Sequence, residues 1–248
     1  MTWLDKNKWW LERARERWSP LRHPECFTVR MWFSSPVAWS EHGVQLDGLL
    51  QRIVVERETG MAADDVFAEC PKGLNPEIQI PIIDVTIADT TISCASWGVP
   101  PRIAIESLRW RRKRARLEAL AGNRVTIAGG PYKSTNIPVP VLVTPFLDFH
   151  LVGCRAYVMD LLRDATAIGR GYSSGLGTIL GTESMHDHES NMYGSCRALV
   201  WQGKPMRSIP IGPGMPKMDD PFIRLASTRA PYWANKNPRV CAVPALHL

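Results

Sequence analysis

A glycine-rich run is the part of the chain whose residue types and spacing could do chemistry. It spans residues 168–181, with glycines at 169, 171, 175, 177 and 181 and two serines at 173 and 174. Glycine tolerates positive φ and lets another molecule approach the backbone closely. We therefore expect this run to touch a ligand, and the neighbouring elements must indicate which kind.

Residues 171–175 match the G-x-S-x-G pattern of a serine-hydrolase nucleophile elbow. That elbow needs a strand before the serine and a helix after it, whereas the predicted order here is helix, loop, strand. The dinucleotide pattern fails too, because Ser174 replaces its third glycine and no helix is predicted to follow. The sequence thus argues against both uses of the run.

A helix that leads into a glycine loop and then a strand can instead cradle phosphates with backbone N–H groups. On this interpretation Arg170 clamps a phosphate and Tyr172 offers a stacking surface. The alternative is a structural turn. The predicted contacts with RNA in this loop are Gly169, Arg170, Gly171, Tyr172, Gly175 and Gly177.

An arginine-rich segment is the second candidate site. Proline at 100 and 101 and glycine at 122 predict a helix between them. Its basic residues are Arg102, Arg109, Arg111, Arg112, Lys113, Arg114 and Arg116. Because like charges four residues apart destabilise a helix, we expect this segment to face a polyanion such as nucleic acid. A solvated charged surface is the alternative.

Composition sets broader limits. The 248 residues are 45% hydrophobic and carry a formal charge of +6, which provides a core and favours a polyanionic partner. No apolar run is long enough to cross a bilayer, and the N-terminal residues do not resemble a signal peptide. We therefore predict a cytoplasmic protein that does not bind membranes.

Metal and cofactor sites are not indicated. The six cysteines at 26, 70, 94, 154, 196 and 241 are widely separated, which predicts reduced structural thiols. The run His186-Asp187-His188-Glu189 lacks a third ligand that the sequence could place, so it is interpreted as a solvated loop. No metal, no cofactor and no catalytic residue is predicted.

The elements that position these segments indicate an α+β protein. Residues 2–18 predict an amphipathic helix whose tryptophans pin it to the body, with base stacking or partner docking as the alternative. Core helices are predicted at 46–57 and 153–167. Strands are predicted at 26–33, 78–86, 90–97, 124–128, 139–143, 178–182 and 197–201, followed by extended segments over 205–244.

Taken in order, these motifs resemble the CRISPR-associated RAMP superfamily, and most closely the subunit of type IV effector complexes that caps the 5′ handle of the CRISPR RNA. The matching segments are Ser35-Pro36-Val37, Leu46-Asp47-Gly48-Leu49-Leu50, residues 130–134, the helix and glycine loop over residues 161–177, and residues 205–210. Ser208 stands where the family has proline, and the loop serines stand where many relatives have lysine or arginine.

The resemblance implies a ferredoxin-like or RRM-like core over residues 23–204, a tryptophan-rich basic helix over 1–22 and a proline-rich extension over 205–248 packed on the core. It makes the basic helix at 100–122 a protrusion that kinks the RNA, and it adds Lys133 to the RNA contacts. The implied partners are the CRISPR RNA, the repeated backbone subunit, a large subunit and a processing nuclease. Target DNA and a DinG-type helicase would be met indirectly.

Two other functions remain open from the sequence. One is an endoribonuclease of the same superfamily that processes the precursor RNA, for which His42 and then His150 are the candidate acid-base residues. The other is a purely structural assembly module. The RNA-binding hypothesis differs from the first because it needs no catalytic residue, and from the second because it predicts an RNA affinity that falls with salt.

Overall fold

A computed structural model of the protein describes residues 2–18, 24–39, 43–71, 74, 76–113, 135–169, 175–186, 197–228 and 238–244. Within these ranges the fold is α+β, with small antiparallel sheets. The helices are α1 Trp3–Trp18, α2 Leu46–Thr59, α3 Ala63–Ala68 and α4 Arg155–Leu162. None of them is long and apolar enough to cross a membrane.

The strands are β1 Glu25–Phe33, β2 Val37–Ala38, β3 Asp84–Ile87, β4 Thr90–Ser93, β5 Ile105–Lys113, β6 Thr135–Val143, β7 Phe146–Gly153, β8 Ile179–His186, β9 Val200–Trp201, β10 Lys204–Pro205, β11 Ile209–Pro210, β12 Phe222–Ala226 and β13 Arg239–Val243. The predicted strands at 26–33 and 139–143 and the predicted helices at 2–18 and 46–57 are confirmed within these bounds.

The central sheet has the order β7-β1-β8, and both pairings are antiparallel. Side chains alternate across β1, so that Phe27, Val29 and Met31 are buried in the main core. On the outer side of β7, residues 95–99 make antiparallel bridges from Ala95 to Leu151 and from Val99 to Asp148. An extended segment therefore continues the sheet beyond β7.

Helices α2 and α4 contribute their apolar residues to the core that β1 and β7 line. α2 ends at Gly60, which adopts φ 71° and donates its N–H to the carbonyl of Glu56 at 2.9 Å. Arg57 ties this helix to α4 through the carboxylates of Asp160 at 2.6 Å and Asp164 at 2.5 Å. Hydrogen bonding to the Arg57 guanidinium lowers the pKa of Asp160.

Helix α1 packs by its tryptophans, as predicted: Trp3, Trp10 and Trp18 are all buried. Two of its arginines pair with a carboxylate of α2. Arg13 donates to the carboxylate of Glu58 at 2.5 Å, Arg17 lies 3.4 Å from the same group, and that carboxylate is fully buried. Arg13 and Arg17 thus compensate a buried charge of α2, and Trp9 stays exposed.

The predicted helix over 100–122 is wrong where the structure describes it. Residues 105–113 form β5, which pairs antiparallel with β6 from Ile105 opposite Val143 to Lys113 opposite Thr135. β2 joins the other edge of β6, opposite Leu142 and Val141, so these strands form a sheet with the order β2-β6-β5. Beyond that point β5 and β6 pair alone, as a two-stranded ribbon. Local helix propensity favours Arg, Leu and Ala, but a partner strand more than twenty residues away decides the conformation here.

Other predicted bounds change as well. The second core helix is shorter than 153–167, because Gly153 belongs to β7 and its backbone lies against the carbonyl of Pro81, where a Cβ would not fit. The strand predicted at 78–86 is confined to Asp84–Ile87, and that at 90–97 to Thr90–Ser93. The strand predicted at 178–182 is longer in the structure, where β8 runs on to His186. Of the strand predicted at 197–201, the structure has only β9, at Val200–Trp201. The strand predicted at 124–128 lies outside the described residues.

The C-terminal segments form a sheet of their own, with the order β11-β13-β12. Arg207, two residues before the start of β11, is 1% exposed and reaches into the core. Its guanidinium donates to the carbonyl oxygens of Ser93, of Ala95 at 3.1 Å and of Thr228 at 2.8 Å. It also meets the buried carboxylate of Asp47 at 3.4 Å.

This buried cluster joins α2, the segment after β4 and the C-terminal sheet. Removing the guanidinium leaves the Asp47 carboxylate and three carbonyls without this partner. We therefore expect Arg207→Met to lower the free energy of unfolding by about 3–5 kcal/mol. The loss should be smaller in an Asp47→Asn background, where no buried charge is stranded.

Urea denaturation measures both effects. Arg102→Met is the matched control, because Arg102 is exposed and its replacement should cost less than about 0.5 kcal/mol. Equal losses for Arg207→Met and Arg102→Met would contradict a structural role for the buried guanidinium.

Candidate nucleic-acid interface

The described ends of the glycine loop form a closed base. Gly169, Gly175 and Gly177 have φ of 84°, 76° and 65°, the left-handed region that glycine adopts easily. The N–H of Ile168 donates to the carbonyl of Gly177 at 3.0 Å, and the N–H of Gly177 donates to that of Pro36 at 2.9 Å. The loop therefore starts and ends at one point beside β2.

The turn at residues 34–36 receives this base. The hydroxyl of Ser35 accepts the N–H of Thr178 at 2.9 Å, and the N–H of Ser34 donates to the carbonyl of Thr178 at 3.0 Å. These bonds fix the loop on the turn that follows the central strand β1. The sequence singled out Ser35-Pro36-Val37 as a motif but did not predict that it holds the loop.

Leu176 connects the loop to the β5–β6 ribbon. It is buried in a small cluster with Ala38 of β2 and Val141 of β6, and Val139 packs against the same cluster. Sequence reasoning missed Leu176. The sequence indicates this role only by a single large apolar residue between two glycines of a loop. Such a residue typically packs against the body of the protein and holds the loop in place.

Arg109 lies on the same face of the ribbon as this anchor. In an antiparallel pair, directly opposed residues share a face, and Arg109 is opposite Val139 while Ser107 is opposite Val141. Arg109 is exposed. The structure thus brings the base of the glycine loop and the first basic residue of the ribbon to one side of the molecule.

The remaining predicted site residues are distributed as follows. Arg111, Arg112 and Lys113 continue β5, opposite Ile137, Asn136 and Thr135. Arg102 precedes the ribbon and is exposed. Arg114, Arg116, Lys133, Arg170, Gly171, Tyr172 and both loop serines lie outside the described residues.

A cavity of about 330 Å³ opens at the foot of the ribbon, on the face that carries the loop. Phe33 and Pro36 line one side of it, and Ile105 and Val143 of the ribbon line the other. Because Pro36 also accepts the N–H of Gly177, the cavity and the base of the loop are neighbours.

Of the two candidate nuclease histidines, the structure describes only His150. His150, in β7, shares a 2.8 Å hydrogen bond between its Nδ1 and the hydroxyl of Thr28 in β1, and His42 lies outside the described residues. His186 is 3.4 Å from a carboxylate oxygen of Glu25. Among the described residues, no group of three or more His, Cys, Asp or Glu could hold a metal.

Burial keeps the cysteine thiols in the core protonated. It raises the pKa of Cys94 to about 12 and that of Cys241 to about 11. A thiol with such a pKa is a poor nucleophile and a poor metal ligand at neutral pH. These two cysteines therefore act as small apolar core residues.

In comparisons with known proteins, no family model matches the sequence, and no curated protein matches it. The arrangement of loop, turn and ribbon must therefore support any functional conclusion.

The closed loop base gives a test of the glycines. Gly177→Ala combines the strain of positive φ with a Cβ that would overlap the carbonyl of Ile168, whereas Gly175→Ala meets no atom within 4 Å. Both substitutions carry the φ cost of roughly 1–2 kcal/mol. We expect Gly177→Ala to cost about 1–3 kcal/mol more, because the close approach must be relieved.

The difference is measured by urea denaturation of the two alanine variants. Gly181→Ala is the third member of the set, since a Cβ there also meets open space and Gly181 has no positive φ. If Gly175→Ala and Gly177→Ala are equally destabilising, the loop does not close as described.

Proposed function

We propose that the protein is an RNA-binding subunit of the RAMP type, with the glycine loop and the β5–β6 ribbon as its RNA-binding surface. In particular, we infer a non-catalytic subunit of a type IV CRISPR effector complex that caps the 5′ handle of the CRISPR RNA. It would act in the cytoplasm in guide-directed defence against foreign DNA. Its partners would be the backbone subunit, the large subunit and the processing nuclease, with target DNA and a DinG-type helicase met indirectly.

The order of elements supports this proposal. The chain runs β1, α2, the edge segment at 95–99, β7, α4 and β8, and the edge segment, β7, β1 and β8 follow one another across the sheet. A βαββαβ order with the first strand between the third and the fourth is the ferredoxin-like arrangement. We propose that residues 23–204 form such a core.

The observation that carries the proposal is the contact between the loop and the ribbon. Leu176 seats the glycine loop on the face of the ribbon that presents Arg109. Backbone N–H groups in a glycine loop can bind phosphates, and a neighbouring arginine adds a bidentate partner. The glycine loop and Arg109 could thus both bind phosphate, and they lie on the same side of the molecule. A sugar-phosphate backbone that passes both could contact each of them.

The ribbon also has the position that a wedge would need. It leaves the sheet after the edge segment at 95–99 and returns directly into β7, so it inserts between two adjacent strands of the core. In place of a helical protrusion, we propose this basic ribbon as the element that kinks the RNA. Its exposed Leu108, 61% accessible, is one of the apolar groups available to separate bases.

We propose no catalytic role because His150 lies within the sheet, where the hydroxyl of Thr28 engages its ring. Cleavage of RNA by general acid-base catalysis needs such a group within reach of the reacting hydroxyl. The proposal therefore assigns RNA binding to the surface described above and leaves processing to a separate nuclease.

Charge reversal on the ribbon tests the proposed surface. If Arg109 and Arg111 each meet a phosphate, Arg109→Glu/Arg111→Glu should weaken RNA binding by at least about tenfold, because each reversal removes a phosphate contact and adds a charge that the phosphates repel. The slope of log affinity against log salt should flatten by about 1.5, from about 0.7–0.9 per lost contact. Fluorescence anisotropy at several salt concentrations measures both quantities.

The RNA for this assay is the species that copurifies with the protein, identified by sequencing. The account predicts repeat-derived RNA with one fixed 5′ end. Arg15→Glu/Lys217→Glu is the matched control, because both residues are exposed and the change in net charge is the same. Copurification of no RNA, or equal loss of binding in the two charge-reversed variants, would contradict the proposed surface.

A further inference from the structure

The cavity at the foot of the ribbon is lined mainly by apolar residues. These are Phe33, which is only 7% exposed, with Pro36, Pro145, Ile103, Ile105 and Val143. Its volume of about 330 Å³ lies at the lower end of the range of small-molecule sites. A mainly apolar lining at this scale suits an organic ring rather than an ion.

The apolar residues on the ribbon side of this cavity are unusually exposed to solvent. Ile103, Ile105 and Val143 are 70%, 65% and 46% accessible. Large apolar side chains grouped in this way around a cavity mark a binding surface more often than random surface exposure. Their burial on binding would contribute favourably, at about 25 cal/mol per Å² of apolar surface covered.

Three polar residues also line the cavity, namely Ser34, Ser35 and Thr144. Ser34 is exposed, and the hydroxyl oxygen of Ser35 accepts the N–H of Thr178, which leaves the hydroxyl proton to donate among the described residues. Thr144 donates its hydroxyl proton to the carbonyl of Phe146 at 2.7 Å. A ligand with apolar faces and a polar edge matches this distribution.

The surroundings are cationic. Arg102 and Arg109 are exposed before and within β5, next to Ile103 and on the face of Ile105 respectively. The base of the glycine loop lies on the other side, through the bond between Gly177 and Pro36. A ligand in the cavity would therefore have exposed arginines on one side of it and the base of the glycine loop on the other.

We propose that this cavity binds one unstacked nucleobase of the RNA, whose flanking phosphates lie toward the glycine loop and the ribbon arginines. The proposal rests on the RNA-binding function inferred above. The base would pack against the exposed side chains of Ile103, Ile105 and Val143, with its hydrogen-bonding edge toward Ser34 and Ser35. Single-stranded RNA offers such splayed bases, and apolar and aromatic side chains commonly hold them.

An abasic scan tests the site. The copurifying RNA is synthesised with one abasic nucleotide at each successive position, and its affinity for the unmodified protein is measured by anisotropy. At a single position the missing base should weaken binding by roughly 5- to 100-fold, the usual contribution of one stacked base. In an Ile105→Trp variant, whose indole fills the cavity, that position-specific penalty should disappear.

Leu108→Trp is the control, since Leu108 is equally exposed on the same strand but is on the opposite face from Ile105. It should retain the penalty. Ile103→Trp fills the cavity from a different position and should repeat the result of Ile105→Trp, which covers the case that one tryptophan variant does not fold.

The outcomes separate this proposal from the function on which it rests. If the protein binds RNA but the penalty is the same in the filled and control variants, the cavity does not hold a base. If filling the cavity removes a copurifying protein and leaves the abasic scan unchanged, the apolar surface is a protein contact and the proposal is overturned. If no RNA binds at all, the proposed function fails first.

Discussion

The buried guanidinium of Arg207 is the interaction on which the rest of this structure depends. It satisfies the carbonyl at the end of β4, a second carbonyl two residues later, one carbonyl of the C-terminal part and the carboxylate at the start of α2. A charge buried to this degree is tolerated only where hydrogen bonds replace its lost hydration. The C-terminal part is therefore integral to the core, and it is not a loosely attached tail.

This cluster also determines where the ribbon begins. The segment that Arg207 holds at Ser93 and Ala95 continues along the outer edge of β7 and then becomes β5. A fixed edge segment gives the ribbon a defined origin, while Leu176 fixes the side to which it faces the glycine loop. Arg207 and Leu176 are far apart in sequence. Their buried contacts together fix the position of the ribbon relative to the glycine loop, and the ribbon and the loop are the two elements of the proposed surface.

Much of the core could be predicted from local pattern. The β-branched and aromatic residues of β1, the amphipathic spacing of α2 and the tryptophan spacing of α1 each specify an element without knowledge of distant residues. Gly60, which ends α2 in the left-handed conformation, carries its signal in the sequence as well. These elements form because short-range preference and burial agree.

The ribbon could not be predicted in this way. Residues 105–113 have good helix formers, and their pairing with Pro138 and Pro140 in β6 offers fewer backbone donors than an ordinary strand. Its strand conformation comes from tertiary pairing across a long connection, which no local window contains. The burial of Leu176 and the cavity could not be predicted for the same reason. Both depend on contacts between the turn, the glycine loop and the ribbon.

The central claim is that loop and ribbon bind one RNA together. Ultraviolet cross-linking of the protein to its copurifying RNA, followed by mass spectrometry of the cross-linked peptides, tests it most directly. The account predicts cross-links in peptides from both residues 102–113 and residues 169–177. Cross-links confined to other parts of the chain, such as helix α1 with its exposed Trp9, would contradict it.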